Sequence, residues 1–219
     1  MTPMDFLQLV RGPLFDIALT IFIFGVLLRL FEIIILDRKR DLSEARGGEF
    51  IAGSKTIFRR FKPDREKLQH SPVPTILGYI FHLGFFICLL FFIPHIELIH
   101  SALGVSWPGL PNFLVDVVAL ITMGALVGLF LYRLTNPLLR FLSSFQDYFL
   151  LVVVFLTLAT GYIAFHHIIE PYPLALGLHL LSVELLLVIF PFTKLMHTFT
   201  VFLGRYYNGA MAGRRGVQS

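Results

Sequence analysis

The chain predicts an all-α integral membrane protein, a bundle of five spanning helices with its N-terminus outside and its C-terminus in the cytoplasm. Three observations predict this. Of the 219 residues, 56% are hydrophobic and 24 are Phe, and mean hydropathy is +0.78; soluble domains are roughly 45–50% apolar. Several apolar runs exceed the ~20 residues that cross a bilayer as a helix. Lys and Arg are concentrated in alternate loops and missing from the others.

The runs cover approximately 13–36, 75–99, 113–134, 148–165 and 174–202, each bounded by Pro, Gly or charges. Each reads as helix, because a lone strand leaves its backbone unsatisfied in lipid. The first run begins too far in, and lacks the small-residue cleavage site, for a removable signal peptide. It is expected to stay as a helix. No internal repeat or low-complexity tract is visible, so 1–219 reads as a single membrane domain.

Orientation follows from the cations. The loop 37–74 carries Arg38, Lys39, Arg40, Arg46, Lys55, Arg59, Arg60, Lys62, Arg65 and Lys67. Arg133 and Arg140 flank the third loop, and Arg205, Arg214 and Arg215 lie in the tail. Loops 100–112 and 166–173 have neither Lys nor Arg, which places them outside. The basic loop alternates its cations with acids and has too little apolar content for a core of its own. It is expected to set topology and attract anionic lipid, or to dock a cytoplasmic redox subunit. The net charge of +4 restates this topology and does not indicate nucleic acid.

A single cysteine, Cys88, excludes an internal disulfide, an iron–sulfur cluster and a thioether haem attachment within this chain. A redox cofactor would have to be held by histidine. There are eight: His70, His82, His95, His100, His166, His167, His179 and His197. His179 and His197 bracket the last apolar run; eighteen residues at ~100° each is five turns, so on a regular helix they share a face about 27 Å apart. In the second run, which travels the opposite way, His82 is near the inner end and His95 near the outer end. Two antiparallel helices thus pair His82 with His197 and His95 with His179, as two b-type haems in a helical bundle require. The competing reading makes each histidine an interhelical hydrogen bonder in a haem-free anchor or small transporter. Zinc fits less well, since it needs a compact tetrahedral cluster.

The segment from Leu178 to His197, "LHLLSVELLLVIFPFTKLMH", resembles the last helix of the gamma subunit of respiratory nitrate reductase. There an outer and an inner histidine ligate two haems, and a Pro-Phe-Ser/Thr-Arg/Lys-Leu stretch precedes the inner one. Pro191, Phe192, Thr193, Lys194, Leu195 and His197 match that stretch, and "FHLGFF" (81–86) is similar to the start of the family's second helix, carrying the inner ligand to His82. Membrane subunits of sulfite-reduction-associated and heterodisulfide-reductase-like complexes share this cytochrome type. The resemblance implies a dihaem cytochrome b passing electrons between quinone and a cytoplasmic iron–sulfur partner in a prokaryotic inner membrane. One departure stands out: the family's second histidine on helix two falls near Phe92 here. His95 follows His82 by thirteen residues, about 140° off its face on a regular helix. A kink at Pro94 would re-aim it; without one, His100 shares the face of His82 and is the alternative outer ligand.

A quinone site needs an apolar cleft with proton-accepting groups at its polar end. Outer candidates are Glu97, His100, Asp116, His166, His167 and Glu170, each equally readable as a solvated span-end residue. Arg29 and Glu32 are spaced to pair on one helix face, or Arg29 to meet a haem propionate. Glu184, within the last run, either bonds across helices or takes part in proton transfer. His70 reads as a surface residue.

Overall fold

A computed structural model describes residues 1–36, 44–63 and 65–217. Arg38, Lys39 and Arg40 of the basic loop lie outside the described residues. All regular structure among those described is helical. Among the described residues five helices are long and apolar enough to cross a membrane: Pro3–Ile35, Pro72–Phe91, Asn112–Thr135, Phe145–Phe165 and Tyr172–Phe192. Their outward faces carry large apolar side chains, among them Phe24, Phe31, Ile34, Leu83 and Phe113, all more than half exposed. Such surfaces belong against lipid.

The chain forms two compact units, one of residues 1–17 and 71–186, the other of residues 18–70 and 187–219. The first unit opens with α1 (Pro3–Leu9), started by a capping box in which Asp5 N–H donates to Thr2 Oγ1 and Thr2 N–H to the Asp5 carboxylate. A π-turn at Val10–Leu14, with Gly12 off the helical region and Pro13 unable to donate, joins it to α2 (Phe15–Ile35). The first helical run therefore starts ten residues before the predicted 13–36.

The rest of this unit is α5 (Pro72–Phe91), α6 (Ile93–Leu103), α7 (Asn112–Thr135), α8 (Pro137–Leu142), α9 (Phe145–Phe165) and most of α10 (Tyr172–Ile189). α5 packs on α7 and α7 on α9. Small residues close these seams, as expected where lipid removes the hydrophobic drive between helices. Gly84 lies against Thr122, which is fully buried, and Gly128 against Leu77. Asn136 caps α8, and a Ser144–Asp147 capping box starts α9, where Arg133 reaches both Ser143 (2.8 Å) and Asp147 (3.9 Å).

In the second unit, α3 (Glu49–Arg59) lies along α11 (His197–Arg214). Gly53 abuts Tyr206, Gly209 abuts Thr56, and Gly213 abuts Ala52. Arg214 pairs with Glu49 at 2.6 Å, and Arg205 sits 4.7 Å over the Phe61 ring. α3, within the basic loop, thus packs on a helix outside that loop. Its small-residue face, Ala52, Gly53 and Thr56, meets Tyr206, Gly209 and Gly213 of that helix, which composition within the loop does not reveal. α4 (Arg65–His70) follows, with His70 exposed. Arg29 and Glu32 pair at 2.9 Å, and Arg29 Nε also donates to Pro191 O at 3.3 Å, where Gly25 admits the proline ring.

Two predicted helices are interrupted. The run 75–99 breaks at Phe92, which is extended (φ −77, ψ 124), and resumes as α6 with Pro94 in its first turn. The run 174–202 ends as α-helix at Ile189, passes through two 3₁₀ turns (Phe190–Phe192 and Lys194–Met196) separated by extended Thr193, and resumes at His197. The regular-helix arithmetic that put His179 and His197 on one face does not survive this. Pro191 cannot donate to the ladder, and Thr193 at ψ 178 leaves the helical region.

Candidate functional site

Breaking a helix at Phe92 strands the last carbonyls of α5, and in lipid such groups need internal partners. The segment beyond the break supplies them. His95 Nδ1 bonds Cys88 O at 3.0 Å, Trp107 Nε1 donates to Leu90 O at 2.6 Å, and Leu110 N–H donates to Phe91 O at 2.9 Å. The break and the aim of His95 are thus one event. Its imidazole, packed edge-on against Phe92, comes to 6.4 Å from the ring centre of His179, with the ring planes only 21° apart. Both rings are half-buried.

Two hydroxyls flank His179, Thr160 on α9 and Ser182 on its own helix α10. Thr160 Oγ1 lies 3.3 Å from His179 Nδ1 and 3.0 Å from Ser182 Oγ, which itself donates to His179 O. Gly161 abuts the imidazole; a Cβ there would stand 2.9 Å from Cε1. Thr157, Thr160 and Gly161 form an i, i+3, i+4 face inside the apolar run "FLTLATGYIAF". That spacing is the signal in the sequence for this cradle.

His82, on α5, bonds Gly78 O through Nδ1 at 2.6 Å; His197, at the start of α11, bonds Lys194 O through Nδ1 at 2.7 Å. They belong to different compact units. A carbonyl only accepts, so Nδ1 of His82, His95 and His197 carries the proton, and in the neutral ring Nε2 holds the lone pair. Metal-binding histidines are commonly fixed in this way by an acceptor on the other nitrogen. Among the described residues no group of three His, Cys, Asp or Glu side chains is arranged to hold a metal ion.

The quinone-site candidates are partly assembled. His166 Nε2 and Asp116 Oδ1 are 3.0 Å apart, with the Tyr162 ring 4.3 Å from the imidazole. His167 stacks on Tyr172 and lies 3.8 Å from Glu170, whose other oxygen accepts from Tyr172 N–H. Glu97 and His100 are exposed on α6, and His100 O accepts from Gly104, whose φ of +70 ends the helix. Glu184 is 4% exposed, and its Oε1 has no hydrogen-bond partner among the described residues.

No family model matches the chain, and no solved structure matches it. It is similar to a protein of Nitratidesulfovibrio vulgaris (strain Hildenborough), described only as a protein, with 31% identity over 137 residues. The match covers 63% of this chain and 60% of the relative, so the chain spans less than two thirds of that relative's length.

Proposed function

We propose that the chain is a dihaem b-type cytochrome, of the kind its motifs resemble in the gamma subunit of respiratory nitrate reductase. It would carry electrons between the quinone pool and a cytoplasmic iron–sulfur subunit, within the inner membrane of a prokaryote. The observation that carries this reading is the His95–His179 pair. A ligating imidazole nitrogen stands about 2.0–2.1 Å from a first-row metal, so two such nitrogens across one ion are roughly 4 Å apart. The ring centres of His95 and His179 are 6.4 Å apart with their planes 21° from parallel, which brings both imidazoles within reach of one group. When bound, haem supplies one-electron transfer at a potential set by its axial ligands and surroundings.

The residues divide the work. His95 and His179 hold the outer group, and Gly161 keeps space beside His179. His82 and His197, the inner ligands that the resemblance implies, would hold the inner group, and Nδ1 of each bonds a backbone carbonyl. His166 is suited to accept a quinol hydroxyl proton, with the Asp116 carboxylate stabilising the imidazolium that results. Glu97, His100, His167 and Glu170 are the other polar groups at this end. The Lys/Arg asymmetry supports an outer placement for them and a cytoplasmic one for the basic loop and C-terminus.

The alternative is a haem-free anchor or small transporter. The Thr160–His179 bond between α9 and α10 favours it, since intramembrane histidines also serve as interhelical bonders. The visible spectrum of the purified protein decides. Dithionite-reduced b-type bands, with two haems per chain, support the cytochrome. A spectrum without them leaves the alternative, and one haem per chain leaves a single histidine pair.

A further inference from the structure

α3 carries three distinct faces on eleven residues. Ala52, Gly53 and Thr56 turn to α11. At ~100° per residue, Phe50, Ser54, Phe58 and Ile51 fill a separate arc, and Lys55 and Arg59 continue directly from its edge. Phe50, Ile51 and Phe58 are 72%, 74% and 74% exposed, the opposite of what water favours for side chains this large. Arg60 and Lys62 extend the positive side beyond the helix, and both are exposed. Glu49 is the one acid on α3, and Arg214 neutralises it at 2.6 Å.

We propose that α3 is an interfacial helix whose outer face seats on anionic phospholipid, its rings among the acyl chains and its cations on the headgroups. Three observations select lipid over a protein partner. The cores of protein interfaces are depleted of charge, Lys especially, whereas here Lys55 and Arg59 border the phenylalanines. Long basic stems beside an apolar arc are the pattern of helices lying at headgroup level. The membrane is also at hand: α11, on which α3 is fixed, begins five residues after the apolar helix 172–192 ends. The charge sign then chooses anionic over zwitterionic headgroups. This surface does not depend on any cofactor.

The test uses the full chain reconstituted in vesicles of phosphatidylcholine, with or without phosphatidylglycerol. Phe58→Cys and Phe50→Cys are labelled separately with a nitroxide; Cys88 is buried and the unsubstituted protein reports any background labelling. With phosphatidylglycerol present, both labels should relax faster with oxygen, which concentrates in the bilayer, than with a water-soluble nickel chelate. Changing Lys55, Arg59, Arg60 and Lys62 to Gln should lower the docked-to-free ratio by about fivefold per charge. Labels that favour the nickel chelate in anionic vesicles overturn the proposal and point to a protein as the cover. Equal docking in pure phosphatidylcholine overturns the choice of headgroup.

Discussion

Glycines 204 and 209 sit in the same helix and face opposite situations, so one substitution made at each isolates the seam between α3 and α11. A Cβ at Gly204 meets nothing within 4 Å, whereas at Gly209 it would lie 2.5 Å from both Cβ and Oγ1 of Thr56 and 2.8 Å from Ala52 O. Replacing a helix-interior Gly by Ala gains about 0.5–1 kcal/mol from backbone entropy, and that gain is common to both sites. Forcing a methyl into a packed interior costs about 1–3 kcal/mol, and this falls on Gly209→Ala alone. The Ala52 carbonyl is backbone and cannot rotate aside, so α3 must move away from α11. The two variants should differ by that steric cost, a factor of roughly 5–150 in the equilibrium for local opening. Amide hydrogen exchange of α3 in reconstituted protein reads this directly. Gly204→Ala should exchange as slowly as the unsubstituted protein or more slowly, and Gly209→Ala faster. Equal protection in the two variants would refute the reasoning, because it would mean that α3 does not depend on this seam.

Haem content and redox titration of single variants check the proposed ligands. His95→Ala and His179→Ala should each remove the outer haem, while His100→Ala should retain both haems with at most altered quinol turnover; exchange of the His95 and His100 phenotypes would move that ligand. His82→Ala and His197→Ala should lose one and the same component of the titration, the inner haem, and loss of different components would break that pairing. Reporter fusions within the first loop and after Arg215 should report cytoplasm, and one near Leu103 the outside; a cytoplasmic signal from Leu103 would invert the topology.

Some of these features could be read from the sequence and others could not, for physical reasons. Apolar length alone located five helices, because lipid tolerates few other solutions for a run of twenty such residues. Pro94 was visible as a place where helix geometry could change, but the break falls two residues earlier, at Phe92. What stabilises it there, the orphaned carbonyls taken by His95, Trp107 and Leu110, is supplied by residues up to nineteen positions along the chain. The second interruption falls where Pro191 is in plain view, but a segment that resembles one known helix reads as continuous. The α3–α11 contact was invisible for a different reason. Gly53, Thr56, Gly209 and Gly213 pack by being small, and smallness leaves no mark on a hydropathy pattern. The Thr160–Gly161 cradle could have been found, because its i, i+3, i+4 spacing is a surface feature of the sequence.

The broken end of α5 also makes the protein its own optical instrument. Trp107 is the single tryptophan of the chain, and its indole is pinned to Leu90 O, two residues along from the carbonyl that orients His95. Its fluorescence therefore comes from one place and needs no label. An absorbing group held between His95 and His179 would drain that emission by energy transfer, and its removal would restore the light. Loosening of the break would instead shift the colour as the indole exchanges a carbonyl for water. Intensity and wavelength thus report two different events at one end of the molecule, and a fluorimeter can follow both during loading, reconstitution or unfolding.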